Sequence, residues 1–230
     1  MNRRSMLRRL AGGAVLVANA AMLGGCQVGF QRSFRFRMTV EVQTLHGVKS
    51  GSAVYAVTAA PYFDPTLPKV GMVGGLKGQA TVVDLPDGPL FALLKLPMAG
   101  GGLGDMAVNA LNGGPPIDQK DWITAVGRLS HESRKADIPP EKWPLMVRFR
   151  DINEPGSVEM IDPMAIGVKK IRVETTRDPV TTGIEKRFPL WFHSLILSRS
   201  NLSGHSMSVI SGNALPDAMS PADFSTDIEK

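Results

Sequence analysis

Only one cysteine, Cys26, occurs in the 230 residues, so no disulfide can form within the chain. The four histidines, His46, His131, His193 and His205, stand far apart with no second histidine or cysteine at ligand spacing. No metal is expected, and no cofactor. A G-x-S-x-G elbow is missing too: Ser50-Gly51-Ser52 lies in a turn and Gly204-His205-Ser206 near the C-terminus, which removes the ready-made serine-hydrolase signal. Scattered acids such as Asp84, Asp87, Asp151, Glu154, Glu159 and Asp162 could be paired only by the fold, as in any β protein. No apolar run attains the roughly 20 residues of a comfortable membrane-spanning helix, and no internal repeat is visible. Acids are absent from residues 1–25, where Arg3, Arg4, Arg8 and Arg9 supply four of the five net positive charges. The rest of the chain is nearly neutral. Without a clustered basic footprint, no nucleic-acid partner is expected.

What the N-terminus does have is a basic start, an apolar span from Leu10 to about Leu23, and small residues before a candidate cut. These are the three parts of an export signal. Gly12, Gly13 and Asn19 weaken the span as a membrane helix, so it reads as a removable address. Leu23-Gly24-Gly25-Cys26 resembles the lipobox of bacterial lipoproteins: a branched apolar residue, two small ones, then the cysteine whose thiol receives the lipid. The resemblance implies that Cys26 becomes the first residue of the mature protein and carries two or three acyl chains, enough for stable anchoring where one is marginal. Gln27 stands where an aspartate would signal inner-membrane retention, which favours the outer membrane. Asn2-Arg3-Arg4-Ser5-Met6-Leu7 also resembles the twin-arginine export signal, although the same arginines equally suit the general secretory route. The expected location is the bacterial cell envelope, facing the periplasm, with the membrane as partner through Cys26.

Over the whole chain, 43% apolar residues are enough for one domain with its own core. Phe34 to Thr44 alternates apolar and polar without a break, the signature of a half-buried strand with Phe34, Phe36, Met38, Val40 and Val42 inward. A polar link from Leu45 to Gly51 leads to a second strand at Ser52 to Thr58, a hairpin. A second hairpin is marked by Pro86-Asp87-Gly88 between Gln79–Leu85 and Leu90–Leu94, since proline presets one turn dihedral and glycine admits a positive one. Further strands are expected at Leu145 to Phe149, Ser157 to Ile161 and Val168 to Thr175. Helices are expected at Asp105 to Leu111 and, capped by Asp118, at Asp118 to Leu129. The glycine-rich stretches Gly71 to Gly78 and Gly100 to Gly104 read as loops. Gly102-Leu103-Gly104-Asp105-Met106-Ala107 matches G-x-G-x-x-A, but without the βαβ alternation that a dinucleotide site requires.

The fold class is therefore mainly β, an antiparallel sandwich-like or curled sheet with one or two short helices. Its expected division is a signal peptide at 1–25, a lipidated linker at 26–33, a β-rich domain at 34–197 and a weakly ordered Ser-rich tail at 198–230, with one strand near Ser206 to Ile210. Within Asp178 to Trp191, the aromatic end Phe188, Leu190 and Trp191 is a candidate partner-contact patch, set against the alternative of a loop pinned by buried aromatics. The phrases MTVEVQT, VVDLPDG and DPVTTGIEK resemble an uncharacterised family of small exported alphaproteobacterial proteins. That resemblance implies a single-domain body and adds no catalytic residue. A lipid-anchored envelope protein with a binding or structural role, partnered by another envelope protein, is the leading expectation. The alternative is a periplasmic hydrolase whose site is assembled from distant loops.

Overall fold

The computed structural model describes residues 31–62, 71–97, 102–206 and 214–228. The expected signal peptide, Cys26 and most of the strand near Ser206 to Ile210 lie outside the described residues. The elements run β1 (Arg32–Thr44), β2 (Gly47–Tyr62), β3 (Gly71–Lys77), β4 (Thr81–Leu85), β5 (Gly88–Ala92), α1 (Leu103–Asn112), α2 (Gln119–Leu129), β6 (Lys135–Ile138), β7 (Met146–Phe149), β8 (Val158–Met160), β9 (Val168–Thr176) and α3 (Leu190–Ser198). Two antiparallel sheets result, β3-β2-β1-β9-β6 and β4-β5-β7-β8. The mainly β class with short helices holds, with α3 a third helix that the periodicity does not announce.

In β1 the alternation has its expected consequence: Phe34, Phe36, Met38, Val40 and Val42 are all buried. Ala53, Tyr55, Val57 and Ala59 of β2 and Ile171 and Val173 of β9 extend that face, and α1 and α2 cover part of it. The β1–β2 link is shorter than its composition suggests. Thr44 pairs directly with Gly47, so only Leu45 and His46 turn the chain, Thr44 Oγ1 donates to the Gly47 carbonyl at 2.7 Å, and Gly47 takes φ +103°. The polar residues from Val48 onward are strand because the ladder continues past them. The glycine-rich stretch at Gly71 is likewise an edge strand, not a loop; ladder bonds need only backbone, and Thr58 lies where a Gly75 Cβ would come within 2.8 Å of its hydroxyl.

The second sheet crosses the first at close range. A Cβ on Gly51 would lie 1.8 Å from the Val82 carbonyl oxygen, so β2 and β4 meet backbone to backbone. Beside that crossing Tyr55, stacked on Phe36 at 5.0 Å, shares a hydroxyl–hydroxyl bond of 2.9 Å with Thr81. Val83, Leu90, Ala92 and Met146 turn toward the first core. The other face, with Phe91, Val147 and Phe149, is covered by Ile184, Phe188, Phe192, Leu202, Met219 and Phe224.

This second core overturns the weakly ordered tail for the described part of 198–230. Phe224 is fully buried, the Ala80 and Leu94 N–H groups donate to the carbonyls of Phe224 (2.7 Å) and Asp223 (2.9 Å), and Leu202 donates to Met219 at 2.8 Å. A few apolar residues and loop-to-strand backbone bonds hold what composition alone reads as loose.

Between β9 and α3 the chain passes along the outer side of the first sheet. Asp178 accepts from Arg37, and its carbonyl from Arg35 at 2.8 Å. Three residues on, Val54 N–H donates to Thr181 Oγ1 at 2.8 Å and Thr181 N–H to the Val54 carbonyl at 3.0 Å. Thr181 thus satisfies the β2 edge beyond the end of β3, and the strap delivers Phe188 to the second core.

A candidate binding cleft between the hairpin tips

The expected patch at Phe188, Leu190 and Trp191 does not form a contiguous surface. Phe188 is buried, stacked on Phe192 at 4.4 Å. Trp191 is half-buried, its Nε1–H donating to the Ile152 carbonyl at 2.8 Å. Leu190 alone projects, 87% exposed. The reason is the second sheet, whose outer face needs a cover; the alternative of a loop pinned by its aromatics is what this segment adopts.

A more concave surface lies between the tips of the two hairpins. The tip of the first hairpin (Leu45, His46) and that of the second (Leu85, Pro86, Asp87) flank a cleft of about 520 Å³ whose walls include Ile161 and Ile166. Val42 and Leu90, both buried, form its floor. Leu45 is fully exposed, and Val48, Met160 and Met164 are exposed nearby in sequence to the lining residues. The turn that carries Met164 is tied to β1 by a Gln43 N–H donating to the Gly167 carbonyl at 2.8 Å. The polar rim is His46, Asp87 and Arg148, the last paired with Glu159 at 3.6 Å. An apolar floor under a few polar rim groups suits capture of an apolar side chain or segment.

The second hairpin turn is legible in the sequence and the first only as a longer link; the approach of their tips is legible in neither. Leu45 at a two-residue turn is the one signal that could have pointed here, since a large apolar residue at a hairpin tip has no core to enter.

Groups with displaced pKa lie elsewhere. Burial raises the Tyr55 hydroxyl well above its usual range, against its bond to Thr81. Arg172, bonded to Asp137 at 2.7 Å, holds that carboxyl low. Asp217 is also held low, first by the Ser203 hydroxyl and then by His205, whose Nδ1 is 3.4 Å away. Ser203, His205 and Asp217 supply the residue types of a hydrolase triad. In them the serine bonds to the acid, whereas nucleophilic activation requires it on the imidazole.

No group of three metal-ligating side chains exists among the described residues. The G-x-G-x-x-A match is the start of α1. There the Asp105 carboxylate accepts from Gly102 N–H at 2.8 Å, placing the chain's own negative charge where a phosphate would sit. Gly104 lets that helix lie close on Val57, 3.5 Å from where its Cβ would be. No helix among the described residues is long and apolar enough to cross a membrane. No protein-family model, curated protein or solved structure matches this chain.

Proposed function

We propose that the chain is a lipid-anchored cell-envelope protein, held at a bilayer through Cys26, whose β-rich body binds an envelope protein partner and performs no chemistry of its own. The observation that carries this reading is Leu23-Gly24-Gly25-Cys26, the lone cysteine placed behind a basic start and a short apolar span. Its chemistry favours lipid on that sulfur, and Gln27 favours the outer membrane, facing the periplasm.

The hairpin-tip cleft supports the binding role by its position. Cys26 precedes Arg32 by six residues, a reach of about 20 Å at full extension. From Arg32, β1 runs 13 residues to Thr44, about 40 Å at roughly 3.3 Å per residue. An anchor at Cys26 would therefore hold the N-terminal end of β1 at the bilayer and leave the cleft pointing into the aqueous compartment, available to an apolar segment of a partner.

Replacement of Cys26 by Ala, followed by cell fractionation and intact mass, tests the anchor. The lipid mass should vanish and the body should move to the soluble fraction. A wild-type protein that is already soluble and bare at Cys26 refutes the reading. Co-purification from detergent-solubilised envelope tests the rest: a stoichiometric partner lost in Leu45→Glu supports the cleft, whereas turnover in a hydrolase screen with no partner recovered would replace the binding role by the enzymatic one.

A further inference from the structure

The near neutrality of the body conceals an uneven distribution. At the end where β1 begins, β9 ends and α2 ends, five arginines gather: Arg32, Arg35, Arg128, Arg134 and Arg177. Arg32 lies along α2, 3.5 Å from where a Gly127 Cβ would stand. Three acids lie among these and Arg37: Glu132, Asp178 and Glu174, the last 3.5 Å from Arg37. Glu132 is shared by Arg134 at 2.8 Å and Arg128 at 3.7 Å, and Asp178 is engaged by Arg37 through its carboxylate and Arg35 through its carbonyl. Arg177 is exposed and has no partner among the described residues. Within this end a cleft of about 390 Å³ is lined by Arg35, Arg177, His131, Ser133 and Glu132. Cations outnumber acids here, in a body carrying one net positive charge beyond the N-terminal arginines, so the rest of the surface is net acidic.

We propose that this arginine end is a membrane-contacting face that takes the phosphate headgroups of anionic phospholipids in the leaflet holding the anchor. The proposal rests on the reading of Cys26 as lipidated, because that places this end within about 20 Å of the bilayer. Guanidinium groups bind phosphate oxygens in forked pairs of hydrogen bonds. Attraction to an anionic surface acts within roughly a Debye length, about 8–10 Å at physiological salt. A tether of at most about 20 Å lets this end approach into that range, while the hairpin-tip cleft, about 40 Å farther along β1, stays beyond it. The two contacts thus have separate roles: the acyl chains hold the protein, and the arginines set which end faces the lipid.

The test uses mature wild-type protein reconstituted in vesicles of phosphatidylcholine, alone or with about 30% phosphatidylglycerol, and reads amide hydrogen exchange. Exchange at residues 32–35, 129–134 and 175–178 should slow at least about threefold in the anionic vesicles and recover in about 0.5 M salt. Arg35→Gln/Arg177→Gln should abolish the difference while the lipid increment in the intact mass and the membrane attachment stay as in wild type. Arg177→Gln alone, at an exposed side chain with no hydrogen bond or ion pair among the described residues, should reduce it. Equal exchange in both vesicle types, or protection at Leu45-His46 instead, overturns the face while leaving a lipidated mass intact. A bare Cys26 in the mature protein overturns the anchor reading and the proposal with it. A duplex oligonucleotide giving the same protection without vesicles would also overturn the proposal, making the face a polyanion site.

Discussion

The two cores of this protein are built on opposite plans. The first lies between the long β1–β2 hairpin, the helices and the inner face of the second sheet, and its side chains come from regularly patterned strands and helices. The second lies on the outer face of β5 and β7, and most of its cover comes from irregular segments: Ile184 and Phe188 beside one short 3₁₀ turn, Met219 and Phe224 flanking another. It is aromatic, with Phe91 within 6 Å of Phe149, Phe188 and Phe224. The difference teaches that regular elements can share burial over many small contacts. An irregular cover concentrates it in a few large rings, each of which fills more space and makes more contact per ordered residue.

That contrast can be broken by mutation. The largest effect should come from the second core: Phe224→Ala removes a fully buried ring that touches Phe91, Phe149, Phe188 and Phe192, and should lower unfolding free energy by about 4 kcal/mol. Denaturant midpoints measure it, and a loss under about 1 kcal/mol would mean that this layer is not packed as described.

Next is the seam between the sheets. Gly51→Ala forces a methyl against the Val82 carbonyl, where no flexible side chain can yield, and should cost about 3 kcal/mol as the sheets part. Thermal melting checks this; a neutral outcome would show that β2 and β4 are farther apart.

The smallest effect is acidic. Asp137 in the first layer and Asp217 in the second both have carboxyls held below their unfolded values. Each therefore contributes stability above about pH 4 that is lost as pH falls through the folded value. Asp137→Asn and Asp217→Asn should each flatten the acid limb of a stability–pH curve. The Asp137 carboxylate is half exposed and screened by solvent, whereas that of Asp217 is largely covered and tied to Ser203 and His205; either effect should still be smaller than that of Gly51→Ala. An unchanged acid limb in both variants would deny these ion pairs any role.

How much of this was legible follows the same division. The β1 alternation, the Pro86-Asp87 turn and the Asp118 cap, whose carboxylate accepts from Asp121 N–H at 2.8 Å, are local devices in which neighbours in sequence decide the outcome. The strand at Gly71–Lys77 was hidden because its side chains carry no pattern and only pairing with β2 defines it. Phe188 and Trp191 were legible as a choice between patch and pin, and the second sheet's uncovered face decided it. The hairpin-tip cleft and the arginine end were not legible, since each joins residues more than 40 positions apart.

By itself, then, the sequence determined the alternating strands, the tight turn at Pro86-Asp87 and the one sulfur to which a lipid could be joined, because periodicity, turn dihedrals and nucleophile identity are properties of adjacent residues. The tertiary structure alone decided that loop-borne aromatics close a second core, that two hairpin tips flank a cleft, and that a chain of almost balanced charge presents arginines at one end. Burial and electrostatic potential depend on distances in space, which a composition or a net charge adds up without regard to position.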